Sequence, residues 1–371
     1  MASSADDNWS SLSCWEPLPD PHRPEFPYCS GLGLSIRRHT PPTPFGPCYY
    51  KGAERQEAFR SHMAEFSQSE WCLQCPPADP WPHADQTVHH LRVIDQLACR
   101  DGRGAQVLRC HLDQDESRVY VAKIYDALYY SFCIGYTPFD VTFLADMDYS
   151  REAAAYEDLH DAGDDGLYAP KYYGSWTFDM TLLDRAQTPR PVRMVLMEWV
   201  PGVSLQSLID SGEAYHIPPE QRLDILAAAL ELDTKVAFSG IRHRDFAPRN
   251  VIWVPSDADK HSPLVRLVDF NISVAMGRPN SKYRKPRSKL PISPMYIHWR
   301  ATLNEFTYWT PEPHRSRLAA FRGWLKARWE HSAEFTLHAE WMDPDRVNFD
   351  VPIETVQPFP DVIKAACYLD I

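Results

Sequence analysis

Apolar and polar positions change rhythm several times along this 371-residue chain, and the changes mark its elements. LRVIDQLAC and QVLRCHL flank the bend RDGRGA with its two glycines, which predicts a β-hairpin, and VYVAKIYD follows as a third, mostly apolar strand. DMDYSREAAAYEDLHDAG reads as a helix of good formers ending at Gly163, and MVLMEWVPG as a buried strand running into a Pro-Gly break. Together they make a small mixed lobe. Further on, PPEQRLDILAAALELDTKVAFSG sets Leu223, Leu226, Ala227 and Leu230 at helical spacing between its starting prolines and Gly240. VIWV and LVRLVDF around PSDADKHSP predict a second hairpin. HRSRLAAFRGWLKARWEH predicts an amphipathic helix with Leu318, Phe321 and Leu325 on one side and arginines on the other. This second part is the more helical one.

Residues 1–89 lack such rhythm. Prolines, 33 in the whole chain, crowd PLPDPHRPEFP, TPPTPFGP and CPPADPWP, yet Trp9, Trp15, Trp71 and Trp81 lie among them. Disordered tails are poor in aromatics, so the stretch reads as an extended arm laid over the main domain, with a flexible linker as the competing reading. Cys72 and Cys75, with His83, His89 and His90 downstream, have the spacing of half a zinc site, but a second cysteine pair is missing. The nine cysteines have no framework spacing and fit free thiols in a reducing compartment. MASSADDNWSSLSCWEP lacks the basic start and apolar run of a secretory signal, and no segment approaches the roughly 20 continuous apolar residues of a membrane span. A cytoplasmic protein is expected. Its formal net charge of −12 speaks against nucleic acid or an anionic membrane as partner.

Some charges sit where stability alone would not put them. Lys123 interrupts the apolar run VYVAKIY, and an ammonium in a buried strand is costly unless paired. Glu152 lies on the apolar stripe of its helix with Tyr156 and Leu159. Pairing Lys123 with Glu152 satisfies both. Asp269 ends the β-rich run LVRLVDF, where another apolar residue would be preferred, and Asp245 and Asn250 stand five positions apart in IRHRDFAPRNV, just past a helix. Hard oxygen donors such as these suit Mg²⁺, which takes one or two carboxylates plus substrate phosphates.

In these residues the chain resembles the protein kinase family: VAKIYD as the lysine strand, Glu152 as its helix partner, MEWVPG as the segment linking two lobes, HRDFAPRN as the catalytic loop and DFN in place of DFG. The matches run from about residue 91 to residue 273, and YVAKIYDALYY, EAAAYEDL and HRDFAPRNV are similar to kinase-like proteins numerous in fungi. The resemblance implies an α+β, bilobal fold: an arm over 1–89, an N-lobe of antiparallel sheet plus one helix over 90–200, and a mainly helical, reduced C-lobe over 201–371. It implies ATP and Mg²⁺ as cofactors. Lys123, held by Glu152, would contact the α- and β-phosphates; Asp245 would take the proton of an attacking hydroxyl; Asn250 and Asp269 would bind the metal. Gly102, Gly104, Val107 and Ala122 would surround the nucleotide. Met197 would sit behind the adenine, with the backbone of Glu198 and Val200 at its edge.

There are departures. RDGRGAQV supplies only Gly102 and Gly104, with Gln106 where a small residue would help backbone approach; no A-P-E or D-x-W-x-x-G segment follows DFN. The acceptor is accordingly expected to be a protein Ser/Thr hydroxyl or a small-molecule hydroxyl, and a nucleotide-binding pseudokinase acting as an interaction module is the competing class. GRPNSKYRKPRSK, with Arg278, Lys282, Arg284, Lys285, Arg287 and Lys289, reads as a solvated loop, as a nuclear-import patch, or as a segment whose Ser281, Tyr283 or Ser288, once phosphorylated, would be bound by Arg244.

Overall fold

A computed structural model describes residues 15–51, 55–79, 81, 83–255, 263–285, 288–299 and 303–337. The described chain divides into two compact units. The N-terminal one holds residues up to Gly46 together with Tyr50–Glu157 and Lys171–Trp199; the C-terminal one holds Pro47–Tyr49, Asp158–Pro170 and the residues from Val200 onward.

The N-terminal unit starts with β1 (Gly33–Arg38), short helices α1 (Arg60–Met63) and α2 (Gln68–Gln74), and the meander β2 (His89–Ala98), β3 (Gln106–Leu112) and β4 (Asp115–Tyr125). A small ribbon of β5 (Cys133–Ile134) and β6 (Thr137–Pro138) leads to α3 (Val141–Asp161), followed by β7 (Tyr172–Thr181) and β8 (Pro189–Glu198). Six strands close a barrel in the order β1-β2-β3-β4-β8-β7. The closing strand comes from the proline-rich stretch: Gly33 to Ile36 pair with Arg92 to His89, while Arg37 and Arg38 pair with Thr177 and Trp176. GLSIRR alternates exposed Gly33 and Ser35 with buried Leu34 and Ile36, which is strand periodicity over too few residues to stand out among prolines. The stretch expected as an arm over the domain is thus partly built into it.

Two polar devices fix this stretch. Ser67 and Glu70 form a capping box on α2, whose Trp71 is fully buried and donates its indole N–H to Asp140 Oδ1 at 3.0 Å. Asp140 also accepts from the Phe143 amide at 3.0 Å, so it caps α3, which starts five residues ahead of the sequence-based expectation at Asp146. At the end of β4, Asp126 is buried with Arg190 in a two-pronged ion pair and accepts the Tyr28 hydroxyl at 2.5 Å. Burial and the Asp126 carboxylate push the Tyr28 phenol well above its ordinary pKa.

The C-terminal unit is mixed rather than mainly helical. Its order is β9 (Val203–Ser204), α4 (Leu205–Asp210), α5 (Pro219–Ser239), β10 (Ile241–Arg242), β11 (Val251–Val254), β12 (Leu264–Leu267), β13 (Val274–Ala275), α6 (Pro294–His298) and α7 (Leu318–Trp329). Strands form a β12-β11-β9 sheet and a β10-β13 pair, and the turn joining β11 to β12 lies outside the described residues. Among the described helices of this unit only α5 and α7 exceed two turns. Leu226, Ala227 and Leu230 of α5 are fully buried, and Gly240 closes the helix in a left-handed conformation at φ 108°. In α7 the expected polar side is not wholly polar. Arg322 is fully buried with Phe321, Leu325 and Trp329, its Nε donating to the Trp299 carbonyl at 2.9 Å.

Candidate active site

In the N-terminal unit, β4 presents Lys123 and α3 presents Glu152. The ammonium bonds Glu152 Oε2, with the lysine 6% exposed and the glutamate 0%. Strand register decides which neighbours share the lysine's face. Val107 pairs directly with Lys123, and Met197 pairs with Val121, two positions before it, so all four lie on one face. Ala122 pairs with Leu108 and Leu196 on the opposite face, because successive residues of a strand point to opposite sides. Ala122, expected beside the nucleotide with Lys123, therefore lies on the face opposite the lysine, and Val121 shares the lysine's face. Tyr156 of α3 directs its hydroxyl to Met197 Sδ at 3.3 Å. The Glu198 amide donates to the Lys171 carbonyl at 2.9 Å, and its carboxylate accepts the Lys171 amide at 3.0 Å.

The bend between β2 and β3 holds Gly102 at φ 76° and Gly104 at φ 103°, both in the left-handed region that favours glycine. Beneath it runs the segment after β4. Gly102 donates its amide to the Tyr129 carbonyl at 3.0 Å, and a Cβ on Gly104 would meet the Tyr130 ring at 3.6 Å. Tyr130 reaches Asp148 Oδ2 of α3 at 3.2 Å. These glycines admit a neighbouring loop.

The C-terminal unit carries the other candidates. His243 accepts the Asp245 amide on Nδ1 at 3.2 Å and donates from Nε2 to the Val268 carbonyl at 3.0 Å, a single neutral tautomer serving both. Asn250 spends both protons of Nδ2 on Asp245, one on the carbonyl and one on Oδ2, each at 2.8 Å; Arg249 bonds Asp245 Oδ1. Asp245 is thereby aimed from two sides while its side chain stays 20% exposed. The Val268 amide donates to the Asn250 carbonyl at 2.9 Å, tying the loop to the residue before Asp269. Arg244 and Asp269 have φ of 69° and 70°. A non-glycine residue in that region costs about 1–3 kcal/mol and persists where surrounding structure enforces it, typically at functional sites. Arg244 also donates to the Ile272 carbonyl at 3.2 Å. Val200 accepts the Gly202 amide at 2.8 Å.

The basic run is not simply a solvated loop. Ser281 bridges to Tyr49, the Lys282 amide donates to the Cys48 carbonyl at 3.0 Å, Arg278 pairs with Asp158 at 2.7 Å, and the Arg242 guanidinium lies 4.6 Å from the Tyr283 ring. Lys282, Arg284, Lys285 and Lys289 are exposed; Arg287 lies outside the described residues. Cys72 is buried, which pushes its thiol up to about 12. Among the described residues no group of three or more His, Cys, Asp and Glu side chains gathers as a metal site, and no helix is long and apolar enough to cross a membrane.

Next to the Asp245 loop, Phe246 packs near His298, which burial pushes down to about 4. An unfolded histidine takes up its proton near 6.5, ahead of the folded one. Stability is therefore full above pH 6.5 and falls as pH drops from 6.5 towards 4, by up to about 3 kcal/mol. Urea unfolding at pH 7 and pH 4.5 should show a flatter dependence in His298→Gln; identical slopes in the two proteins would refute the assignment.

No protein-family model matches the chain, and no curated protein matches it. Solved structures do. The chain is similar to WaaP in complex with acyl carrier protein at 15% identity, over 63% of this chain and 88% of that one, with a TM-score of 0.32. It is similar to the Mycobacterium tuberculosis PknI kinase domain at 16% identity, over 63% and 82%, with a TM-score of 0.36. The likeness is at most one of fold. The function below rests on side-chain geometry.

Proposed function

We propose that the protein is a Mg·ATP-dependent phosphotransferase that moves the γ-phosphoryl group of ATP to a hydroxyl, with a protein Ser/Thr side chain as the favoured acceptor. The observation that carries this reading is the buried Lys123–Glu152 pair. A buried ion pair is a poor way to gain stability compared with packed apolar residues; what sets this one apart from the equally buried Asp126–Arg190 pair is its place in VAKIYD, which resembles the lysine strand of protein kinases. Lys123 supplies a fixed positive charge for the α- and β-phosphates. Asp245, oriented by Asn250 and Arg249, accepts the acceptor's proton as its oxygen bonds to the γ-phosphorus and the bond to the β-phosphate oxygen breaks. Asn250, whose Nδ2 is committed to Asp245, offers Oδ1 to Mg²⁺, and Asp269 offers a carboxylate; this hard-oxygen set fits the ion. Bound Mg²⁺ would neutralise charge on the transferring phosphates.

Millimolar Mg·ATP is expected to raise the melting temperature, since a hundredfold excess over Kd stabilises the native state by about 2.7 kcal/mol. Lys123→Met should lose most of that rise. No stabilisation of the wild-type protein would overturn the reading. Labelled ATP incubated with cell extract then assigns the acceptor: label in the protein fraction supports the favoured one, and label in metabolites points to a small-molecule kinase. Binding without any turnover marks a pseudokinase.

A further inference from the structure

Within the C-terminal unit, the basic stretch after β13 is held against the strand that leads into the Asp245 loop. Ile241 and Arg242 of β10 pair with Ala275 and Val274, and the Arg242 guanidinium lies 4.6 Å from the Tyr283 ring. The stem of Lys285 covers Gly240, where a Cβ would meet its Cδ at 3.4 Å. Tyr283 is itself fixed by its amide, which donates to Ser281 Oγ at 3.2 Å. Arg242 precedes Asp245 by three residues, so at about 3.8 Å between successive Cα atoms the two backbones lie within about 11 Å.

Arg242, Lys282, Arg284 and Lys285 are exposed. Arg278 does not join them, being paired with Asp158 at 2.7 Å. Arg242, Arg284 and Lys285 form no ion pair among the described residues; the carboxyls whose fields meet them are Asp233 at Arg242 and Asp158 at Lys285. Like charges gathered in one place repel, so the cluster is unfavourable until an anion arrives. Its size chooses among anions. Charges act over about 8 Å at physiological ionic strength, and a nucleic acid or a membrane reaches well past that to meet the rest of a chain of net charge −12. A short acidic segment meets the cluster alone.

We propose, resting on the phosphotransferase reading above, that Arg242, Lys282, Arg284 and Lys285 form a recognition surface for an acidic acceptor peptide. An extended peptide advances about 3.3 Å per residue, so its Asp or Glu residues stand about three positions from the Ser or Thr that faces Asp245.

The test uses fluorescein-labelled peptides with one central Ser, flanked two to four positions away on both sides by Glu in the first and by Gln in the second. Wild-type protein should bind the Glu peptide about tenfold more tightly than the Gln peptide, read by anisotropy, and rising salt should erase the difference. The double variant Arg284→Gln with Lys285→Gln should bind the Glu peptide about tenfold more weakly, a loss of about 1.4 kcal/mol, and KM for that peptide should rise in step. Arg284→Lys with Lys285→Arg, which keeps both charges, should restore binding. The same loss of charge at exposed Arg60 and Arg92 in the N-terminal unit should change it less than about twofold. Equal binding of the two peptides by wild type, or equal loss in the Arg60 and Arg92 variant, overturns the proposal. So does tighter binding of an RNA oligonucleotide or of phosphatidylserine vesicles through Arg284 and Lys285. Wild-type protein that binds no Mg·ATP overturns the phosphotransferase reading and the acceptor role with it; Mg·ATP binding without preference for the Glu peptide overturns this role alone.

Discussion

Asp245→Asn is expected to lower kcat by a factor of about 10²–10⁴, the usual contribution of a positioned general base, while Mg·ATP affinity changes little. The substitution is nearly isosteric. A carboxamide can still accept from Asn250 Nδ2, so the loop should keep its shape, although Arg249 loses its anionic partner and retains only its contact with Glu305 at 3.4 Å. What disappears is the capacity to take a proton from the attacking hydroxyl. Single-turnover measurements at saturating ATP isolate that step, and a thermal shift with Mg·ATP checks that the donor still binds. Turnover at the wild-type rate would remove Asp245 from its role and would favour an activity that needs no base there.

The largest stability effect belongs to Asp126→Ala, at about 3–5 kcal/mol, because it strips the partner from a buried guanidinium. Arg190 is 3% exposed, and Tyr28, fully buried, would lose the acceptor of its hydroxyl as well. Asp126 also accepts the Leu128 amide at 3.1 Å, so the segment that backs the glycine bend would lose its starting turn. The double variant Asp126→Leu with Arg190→Met should recover much of the loss, since replacing both charges by apolar groups leaves no uncompensated ion. Urea unfolding of both proteins reads the comparison. A loss below about 1 kcal/mol for Asp126→Ala would mean that water reaches Arg190 and that the pair is not buried in solution.

Polar residues that break an apolar pattern were the most legible feature of the chain. Lys123 and Glu152 could be paired from sequence because each carries a charge where its strand or helix face should be apolar, and both faces follow from simple periodicities. The spacing of Asp245 and Asn250 likewise suggested a shared loop. The left-handed backbone at Arg244 and Asp269 was not legible, since arginine rarely adopts that conformation and aspartate, though enriched in it, far more often sits in ordinary backbone. Nor was the side assigned to Ala122: adjacency in VAKIYD suggests proximity to the lysine, while the pleat turns the two side chains apart. β1 escaped notice for a different reason. Its partners lie more than 50 residues away, and only pairing at that range turns GLSIRR into a strand. The buried arginines 190, 222 and 322 were missed because each reaches a carboxylate or a carbonyl from a distant part of its unit.

The barrel's closure by β1 has a consequence for where the protein can be divided. A fragment beginning at residue 90, where the recognisable motifs start, would keep every candidate catalytic side chain and lose the strand that sits between β2 and β7. It would also lose α2 with its buried Trp71, and the Tyr28 contact to Asp126. Two strands would then present unpaired backbone along open edges, with buried residues such as Leu91, Val93, Trp176 and Phe178 behind them. Open, apolar edges recruit other chains. The proline-rich leader is therefore what keeps this sheet from seeking partners outside its own molecule.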